Sequence, residues 1–514
     1  MSEITNESLK KIGKGTVIAL VGTGAGLLLA FITRIIIARY GTDQYGIFSL
    51  ALVVLNISIL IATLGLQSGA ARYIAYFRGK GETTKVQGTI SASIQFATLA
   101  SILFGLVIFF TSDVIATKIF HDAELILPLK IFAFGIPFLT VISVFVSVFR
   151  GFERVQEKVY FQDISINALF LLLLLPIFFL HLPFSWVFYA YLVSLAFCAL
   201  TLVLYTTKRL PVRLTIKPSV NAMGKELLLF SLPLLGVAIL GMIISWTDTL
   251  MLGYFKTSDA VGLYNAANPL AQLTYFFSNA MLFIYVPVTT ALYAQNLLPE
   301  IRRSYTIVTK WIFSLTLPLI LIFILFPETV LVFLFGANYV AAGQALQILC
   351  LGSLIAKLLG PNGAALIAIG ETRFLMWASI AAAGINVILN IALIPQWGIV
   401  GAAIATATSL ALYCIIKHMK VRRLLRVNPL TKKLLKPAII STGLIFLISF
   451  LVKSFLDITF WMLPLLFVAF YGVYFLAILF SGSFDQEDIT MLTTLDERIG
   501  INTTPLKKIL KRFL

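Results

Sequence analysis

Three charged side chains lie inside long apolar stretches of this sequence, where charged residues are uncommon. Arg34 lies late in the first stretch, Asp248 lies at almost the same depth in a later one, and Lys357 lies near the middle of a third. A charge in a membrane interior is costly unless it faces a partner or a polar cavity. Two arrangements meet this condition: an ion pair between Arg34 and Asp248, or a cation-lined cavity open to an anionic headgroup, which Arg39 would extend.

Two asparagines form a second polar set. Asn386 and Asn390 are four residues apart, so they lie on one face of a helix. Thr406 and Asp248 could converge with them. One carboxylate, two amide oxygens and one hydroxyl form a hard-oxygen set that suits Na⁺, or a titrating proton on Asp248. The alternative is that these groups only join helices by hydrogen bonds. We expect no other cofactor and no other metal.

Motifs for catalysis and nucleotide binding are missing from the sequence. The stretch Gly22-Thr-Gly24-Ala-Gly26 lies within an apolar run and has no strand before it. It therefore predicts close helix packing rather than a dinucleotide-binding loop. There is no P-loop, the histidines are scattered, and the three cysteines lack the spacing of a metal site or a disulfide framework. We expect a protein that is not an enzyme.

The elements that hold these residues must be membrane helices. Of the 514 residues, 60% are hydrophobic and only 12% are charged, and the mean hydropathy is +0.98. These values indicate an all-α, polytopic membrane protein. We predict fourteen spans, at roughly 15–38, 43–66, 88–111, 125–149, 160–180, 184–206, 228–253, 261–292, 307–326, 342–368, 374–394, 398–418, 436–455 and 459–480.

The positive charges predict the orientation. With the N-terminus inside, most of the 39 lysine and arginine residues fall in inner segments, whereas the outer loops hold Arg39, Lys118, Lys130, Lys256 and Lys453. Such a bias places both termini in the cytoplasm of a cell-membrane protein. The formal net charge of +17 is then an orientation signal, and we expect no nucleic-acid partner.

The chain repeats itself. Residues 40–51 resemble residues 254–267, about 216 positions later, and a second set recurs 219 positions later: Gly151, Arg154, Asn167 and Pro176 as Gly370, Arg373, Asn386 and Pro395. Two parallel, pseudo-symmetric six-helix bundles with a substrate path between them are the expected architecture. We predict four regions: an N-terminal bundle at 1–210, a C-terminal bundle at 211–430, two additional membrane helices at 431–480 and a cytoplasmic basic tail at 481–514.

Several short motifs occur here together. They are Gly13-Lys14, Thr33-Arg34, Ala38-Arg39-Tyr40-Gly-Thr-Asp-Gln-Tyr-Gly46 and Arg150-Gly151-x-x-Arg154. With the twelve-plus-two plan of spans, they resemble the polysaccharide transporters of the multidrug/oligosaccharidyl-lipid/polysaccharide (MOP) flippase superfamily, which include lipid-linked oligosaccharide flippases. This resemblance implies a V-shaped pair of bundles and alternating access.

The resemblance also implies a substrate and its partners. A polyprenyl-(pyro)phosphate-linked oligosaccharide would move from the inner to the outer leaflet for cell-surface glycan assembly, driven by Na⁺, H⁺ or the membrane potential. Arg34, Arg39 and Lys357 would bind the headgroup. Membrane lipids, a glycan polymerase and glycosyltransferases are the expected partners. Lipid II flippases hold sodium with residues that match Asp248, Asn386, Asn390 and Thr406, although Asn390 replaces an acid.

Two other functions fit parts of the same pattern. A cation-coupled multidrug exporter would share the architecture, but exporters of cationic compounds usually need acidic cavities, and two of the three buried charges are basic. A scaffold that transports nothing would leave the buried charges of Arg34 and Asp248 without a purpose. We therefore expect a flippase, with the exporter as the alternative.

Overall fold

The computed structural model describes residues 22–154, 156–210, 223–455 and 461–483. These residues are mostly helical, and no strand occurs among them. The start of the first predicted span and nearly all of the predicted basic tail at 481–514 lie outside the described residues. The α-helices are α1 Gly22–Ala38, then α2 Thr42–Ala62, α3 Leu66–Gly79, α4 Thr83–Val114, α5 Ile126–Gly151, α6 Ile166–Phe179, α7 Ser185–Arg209, α8 Met223–Phe255, α9 Ser258–Leu273, α10 Tyr275–Ala294, α11 Leu298–Leu325, α12 Pro327–Leu334, α13 Gly343–Leu358, α14 Asn362–Ala368, α15 Thr372–Leu425, α16 Lys432–Phe455 and α17 Met462–Phe480.

Within those ranges, eleven helices are long and apolar enough to cross a membrane. The prediction of an all-α polytopic membrane protein is therefore confirmed, whereas the number of fourteen spans is not. One of the eleven is α15, whose 54 residues include a non-helical position at Gly398 (φ 54°, ψ −127°). A positive φ favours glycine, so Gly398 allows the chain to turn where two predicted spans meet.

The chain divides into two compact units, Met1–Asn265 and Ala266–Leu514. In unit 1, helix α5 packs against α2, α3, α4 and α7, and α8 packs against α2, α3 and α4. The aromatic rings of Phe48, Phe132, Phe170, Phe188 and Tyr191 lie against one another at the centre of this unit. Unit 1 is thus built around α5. The predicted domain limits at 210 and 430 remain predictions.

Helices α2 and α9 meet in unit 1 through two glycines. A methyl group on Gly46 would overlap the carbonyl oxygen of Ser258, and one on Gly262 would overlap that of Thr42. Gly46 and Gly262 are 216 positions apart in the sequence, and so are Thr42 and Ser258. The contact is therefore reciprocal, because equivalent residues of the two repeats face each other. Only glycine permits so close an approach of two backbones.

In unit 2, helix α15 packs against α13 and α14, and α11 packs against α10, α13, α16 and α17. The hydroxyl of Tyr471 donates to the carbonyl of Leu315 at 2.7 Å, and the hydroxyls of Tyr474 and Ser314 are 3.3 Å apart. These two contacts join α17 to α11. Helix α17 is thus held to α11 by polar contacts within unit 2.

Several membrane helices are interrupted. The chain between α2 and α3 passes through left-handed residues Leu64 (φ 52°) and Gly65 (φ 72°), and the chain between α13 and α14 passes through Gly360 (φ 79°). A π-helix, Lys158–Ser165, precedes α6. Irregular backbone within a membrane is tolerated where protein or a polar cavity supplies hydrogen bonds to the backbone N–H and C=O groups that the helix leaves unpaired. These positions therefore indicate where polar side chains would be found.

Candidate functional site

Arg34 lies on α1 and is half-buried in unit 1. Its charge reaches the hydroxyls of Tyr45 and Tyr191, which lie on α2 and α7. Among the ion pairs of the described residues, none joins Arg34 to Asp248. Among the described residues, Arg34 forms no ion pair with a carboxylate, so its charge is suited to an anion. Arg39 follows α1 and is exposed.

Asp248 lies near the end of α8 and is only 6% exposed. Its Oδ2 accepts a hydrogen bond of 2.5 Å from the hydroxyl of Tyr264, a fully buried residue of α9. A bond this short is typical of a hydroxyl that donates to a carboxylate. The sequence analysis missed Tyr264. Its position after the α8–α9 turn was a usable signal, because consecutive helices joined by a short turn pack side by side.

The three neutral members of the predicted ion set come together in unit 2. The amide of Asn386 donates to the hydroxyls of Thr406 and Ser409, each at 3.3 Å, and the amide of Asn390 donates to Asn386 Oδ1 at 3.1 Å. Both asparagines are buried. Ser409 was missed, although it lies three residues after Thr406 and so on the same helix face. The hydrogen bonds that Asn386 donates join the parts of α15 that precede and follow Gly398. Asp248 belongs to unit 1.

Lys357 is 5% exposed on α13. Its ammonium nitrogen lies 3.5 Å from the centroid of the Tyr275 ring, and Lys417 on α15 lies 3.5 Å from the Tyr413 ring. In the described part of the chain, neither lysine forms an ion pair with a carboxylate. Aromatic faces attract a cation without cancelling its charge. Unit 2 therefore contains two lysines whose charge remains available to an anionic ligand. Lys417 was not predicted.

The Arg150-Gly151-x-x-Arg154 motif has a structural explanation. The guanidinium of Arg154 lies 2.6 Å from Glu157, a carboxylate with no exposed surface, and also donates to the hydroxyl of Tyr205 at 3.0 Å. A methyl group on Gly151 would lie 2.8 Å from Cβ of Ile74. Arg154 thus neutralises a buried acid, and Gly151 allows α5 to approach α3.

The glycine-rich stretch in α1 packs as predicted at two of its three glycines. A methyl group on Gly22 would overlap Val159, and one on Gly26 would lie 2.5 Å from the carbonyl oxygen of Asp163. Nothing lies within 4 Å of the equivalent position on Gly24. Helix α1 therefore rests directly on the π-helix, and it brings Thr23 to Asp163, another residue that the sequence analysis missed.

Comparisons with known proteins agree with this fold. A family model described as "Polysaccharide biosynthesis protein" matches residues 12–292, more than half of the chain, and the MatE model matches residues 233–392. The uncharacterized membrane protein MJ1068 of Methanocaldococcus jannaschii is 24% identical over 88% of this chain and 91% of its own length. The probable low-salt glycan biosynthesis flippase Agl15 of Haloferax volcanii is 27% identical over 34% of this chain and 37% of its own length.

Solved structures with the same fold come from two groups of transporters. The lipid II flippase MurJ in an inward closed conformation superimposes with a TM-score of 0.68 at 13% identity, over 92% of this chain and 100% of that one. An inward-facing multidrug MATE transporter of the MOP superfamily superimposes with a TM-score of 0.61 at 16% identity, over 80% and 98%. The family match over more than half of the chain shows that the chain belongs to the polysaccharide biosynthesis protein family, and the solved structures share its fold.

Proposed function

We propose that this flippase translocates a polyprenyl-(pyro)phosphate-linked oligosaccharide from the inner to the outer leaflet by alternating access. The supporting observation is the pair Lys357 and Tyr275: a buried ammonium faces an aromatic ring instead of a carboxylate. Arg34 would supply a second cation to the headgroup. Arg39 would contact the headgroup at its outer end. Cations in a dehydrated cavity attract phosphate strongly. The name of the Agl15 relative, a probable glycan biosynthesis flippase, points to the same class of substrate.

A coupling ion, Na⁺ or a proton, is part of the proposal. Asp248 is the one member of the predicted ion set with a formal charge, and it is buried with a short hydrogen bond from Tyr264. Its carboxylate would carry the ion, and the neutral oxygens of Asn386, Asn390 and Thr406 remain ligands predicted from the sequence. Hard oxygen donors of this kind suit sodium. The hydrogen bonds among the three neutral residues would then have to rearrange when an ion binds.

The experiment follows a fluorescent polyprenyl-pyrophosphate sugar in reconstituted vesicles. We expect Lys357→Met to slow translocation at least about tenfold, because loss of a desolvated charged contact costs about 2 kcal/mol or more. Lys453→Met is the matched control, since Lys453 also lies near an aromatic ring, Phe326, but is exposed. Translocation by Lys357→Met at the wild-type rate would contradict the phosphate site.

Sodium coupling has its own measurement. In wild type, an inward sodium gradient should accelerate translocation, and sodium should raise the thermal unfolding midpoint. Asp248→Asn removes the charge while it keeps the size of the side chain, so both effects should disappear. If the gradient has the same effect on both proteins, Asp248 does not carry the ion. A proton would instead produce the same contrast in a pH gradient.

A cation-coupled multidrug exporter is the second candidate. The MatE match at residues 233–392 and the MATE structural neighbour support it. Such a protein would export cationic dyes from cells that lack their own exporters, and Asp248→Asn would stop this export. The uncompensated charges of Arg34 and Lys357 favour the anionic substrate, because like charges repel inside a low-dielectric cavity.

The cellular context belongs to the same proposal. The distribution of lysine and arginine supports a location in the cell membrane with both termini in the cytoplasm. A lipid-linked sugar would be received from glycosyltransferases on the inner side and passed to a glycan polymerase on the outer side. Cysteine accessibility on the two sides of intact cells would test the orientation.

A further inference from the structure

An ion pair lies within a membrane-length helix of unit 1. The ammonium of Lys158 is 3.0 Å from Oδ2 and 3.3 Å from Oδ1 of Asp163; the Asp163 side chain is 15% exposed and the Lys158 side chain 43%. Both residues belong to the segment Lys158–Phe179, which is long and apolar enough to cross a membrane. Neither the predicted headgroup site nor the predicted ion set includes them.

The π-helix Lys158–Ser165 makes this pair possible. In an α-helix, residues five apart point about 140° away from each other, because each residue turns the helix by about 100°. The i→i+5 bonding of a π-helix places residues five apart over one another. The hydroxyl of Ser165 donates to the carbonyl of Tyr160 at 2.6 Å with the same spacing. The unusual backbone therefore turns Lys158 toward Asp163.

Helix α1 completes the surroundings of the carboxylate. The hydroxyl of Thr23 donates to Asp163 Oδ2 at 2.8 Å, and the close approach of Gly26 to the Asp163 carbonyl holds α1 in place. The amide of Asn167 donates to that same carbonyl at 2.8 Å. A hydroxyl oxygen can also accept or coordinate. Without the lysine, the two carboxylate oxygens of Asp163 and the hydroxyl of Thr23 that bonds to one of them would be hard-oxygen donors, which suit a small monovalent cation.

We propose that Lys158 is a built-in counter-cation: its ammonium fills the place beside the Asp163 carboxylate that Na⁺ would otherwise take, so unit 1 needs no external ion there. A carboxylate in a largely apolar helix is costly when its charge is uncompensated. A tethered ammonium removes that cost at every salt concentration. The inference depends only on contacts within unit 1 and does not rest on the proposed transport function.

The test is to create the missing sodium site. Lys158→Ala is made in an Asp248→Asn parent, so that the proposed coupling ion cannot contribute to the result. We expect the thermal unfolding midpoint of Lys158→Ala to rise by about 2 °C or more when choline chloride is replaced by sodium chloride at equal ionic strength, because the bound ion stabilises the folded state. The parent should show no such rise.

Three further variants separate this site from other causes. Lys158→Arg keeps the cation and should not respond to sodium, and Lys158→Ala/Asp163→Asn should lose the response because the carboxylate is gone. Lys85→Ala is the matched control, since Lys85 pairs with Glu82 at 2.6 Å but that carboxylate side chain is 34% exposed, against 15% for Asp163, and it should not respond.

The proposal is overturned if Lys158→Ala has equal midpoints in the two salts, or if its sodium response persists without the Asp163 carboxylate. Failure of Lys158→Ala to fold in any salt would also overturn it, since sodium would then not replace the ammonium. If Lys158→Ala/Asp163→Asn also failed to fold, Lys158 would stabilise the protein through a group other than Asp163, which contradicts the proposal.

Discussion

The polar residues of α6 and of the equivalent first part of α15 have different hydrogen-bond partners in the two repeats. Asn167 and Asn386 are 219 positions apart and correspond in the repeat. Asn167 donates to a backbone carbonyl beside a carboxylate that carries its own lysine. Asn386 donates to the hydroxyls of Thr406 and Ser409 and accepts from Asn390, in a set with no formal charge. One copy of the helix thus holds a closed ion pair, and the other holds neutral groups that an ion could rearrange.

This difference indicates which of the two polar sets could change its hydrogen bonds when an external ion binds. A salt-bridged carboxylate with a tethered cation has little to gain from an external ion, whereas a network of amides and hydroxyls can exchange one partner for another at small cost. If the coupling ion acts as we propose, duplication has produced one copy that is fixed and one that can change. The following predictions address the two copies in order of expected effect.

The largest effect is expected where α1 rests on the π-helix. Gly26→Ala would place a methyl group 2.5 Å from the Asp163 carbonyl, and we expect it to lower the free energy of unfolding by about 2–3 kcal/mol through overpacking. Gly24→Ala is the control on the same helix, because its methyl group meets nothing within 4 Å. It should be neutral or stabilise by up to about 1 kcal/mol. Equilibrium unfolding in mixed micelles measures both. Similar losses for the two variants would show that the close contact is not what matters.

A middle effect is expected from the corresponding asparagines. Asn386→Ala removes the donor to Thr406 and Ser409 and the acceptor for Asn390, so we expect a loss of about 2 kcal/mol. Asn167→Ala removes a donor to one backbone carbonyl, and we expect about 1 kcal/mol. The same unfolding measurement compares them. Equal losses would contradict the asymmetry between the copies.

The smallest effect is expected for an exposed ion pair of unit 1. Lys130 lies 3.2 Å from Asp113, and the side chains are 34% and 58% exposed. Lys130→Ala should change the free energy of unfolding by less than about 0.5 kcal/mol, because surface pairs contribute little. Lys158→Ala in sodium-free buffer should cost clearly more. A loss for Lys130→Ala as large as that for Lys158→Ala would show that the burial of the carboxylate, 15% exposed in Asp163 against 58% in Asp113, does not matter.

Much of the fold could be predicted because membrane helices need long apolar runs and internal hydrogen bonds. The association of Asn386 with Thr406 could also be predicted, since Asn386 and Asn390 share a face and the next span follows after a short turn. Tyr264 was missed because its contact with Asp248 depends on how α8 and α9 are rotated. Lys158 and Asp163 were missed because α-helical spacing places residues five apart on different faces.

The reciprocal contact between α2 and α9 has a mechanical consequence. At Gly46 and Gly262 the two helices touch through backbone atoms, with no side chain between them. If α2 and α9 separated at this contact, no side chain would have to change its rotamer. The rate of separation would then depend on the movement of whole helices rather than on side-chain repacking. Any larger residue at either position would act as a wedge.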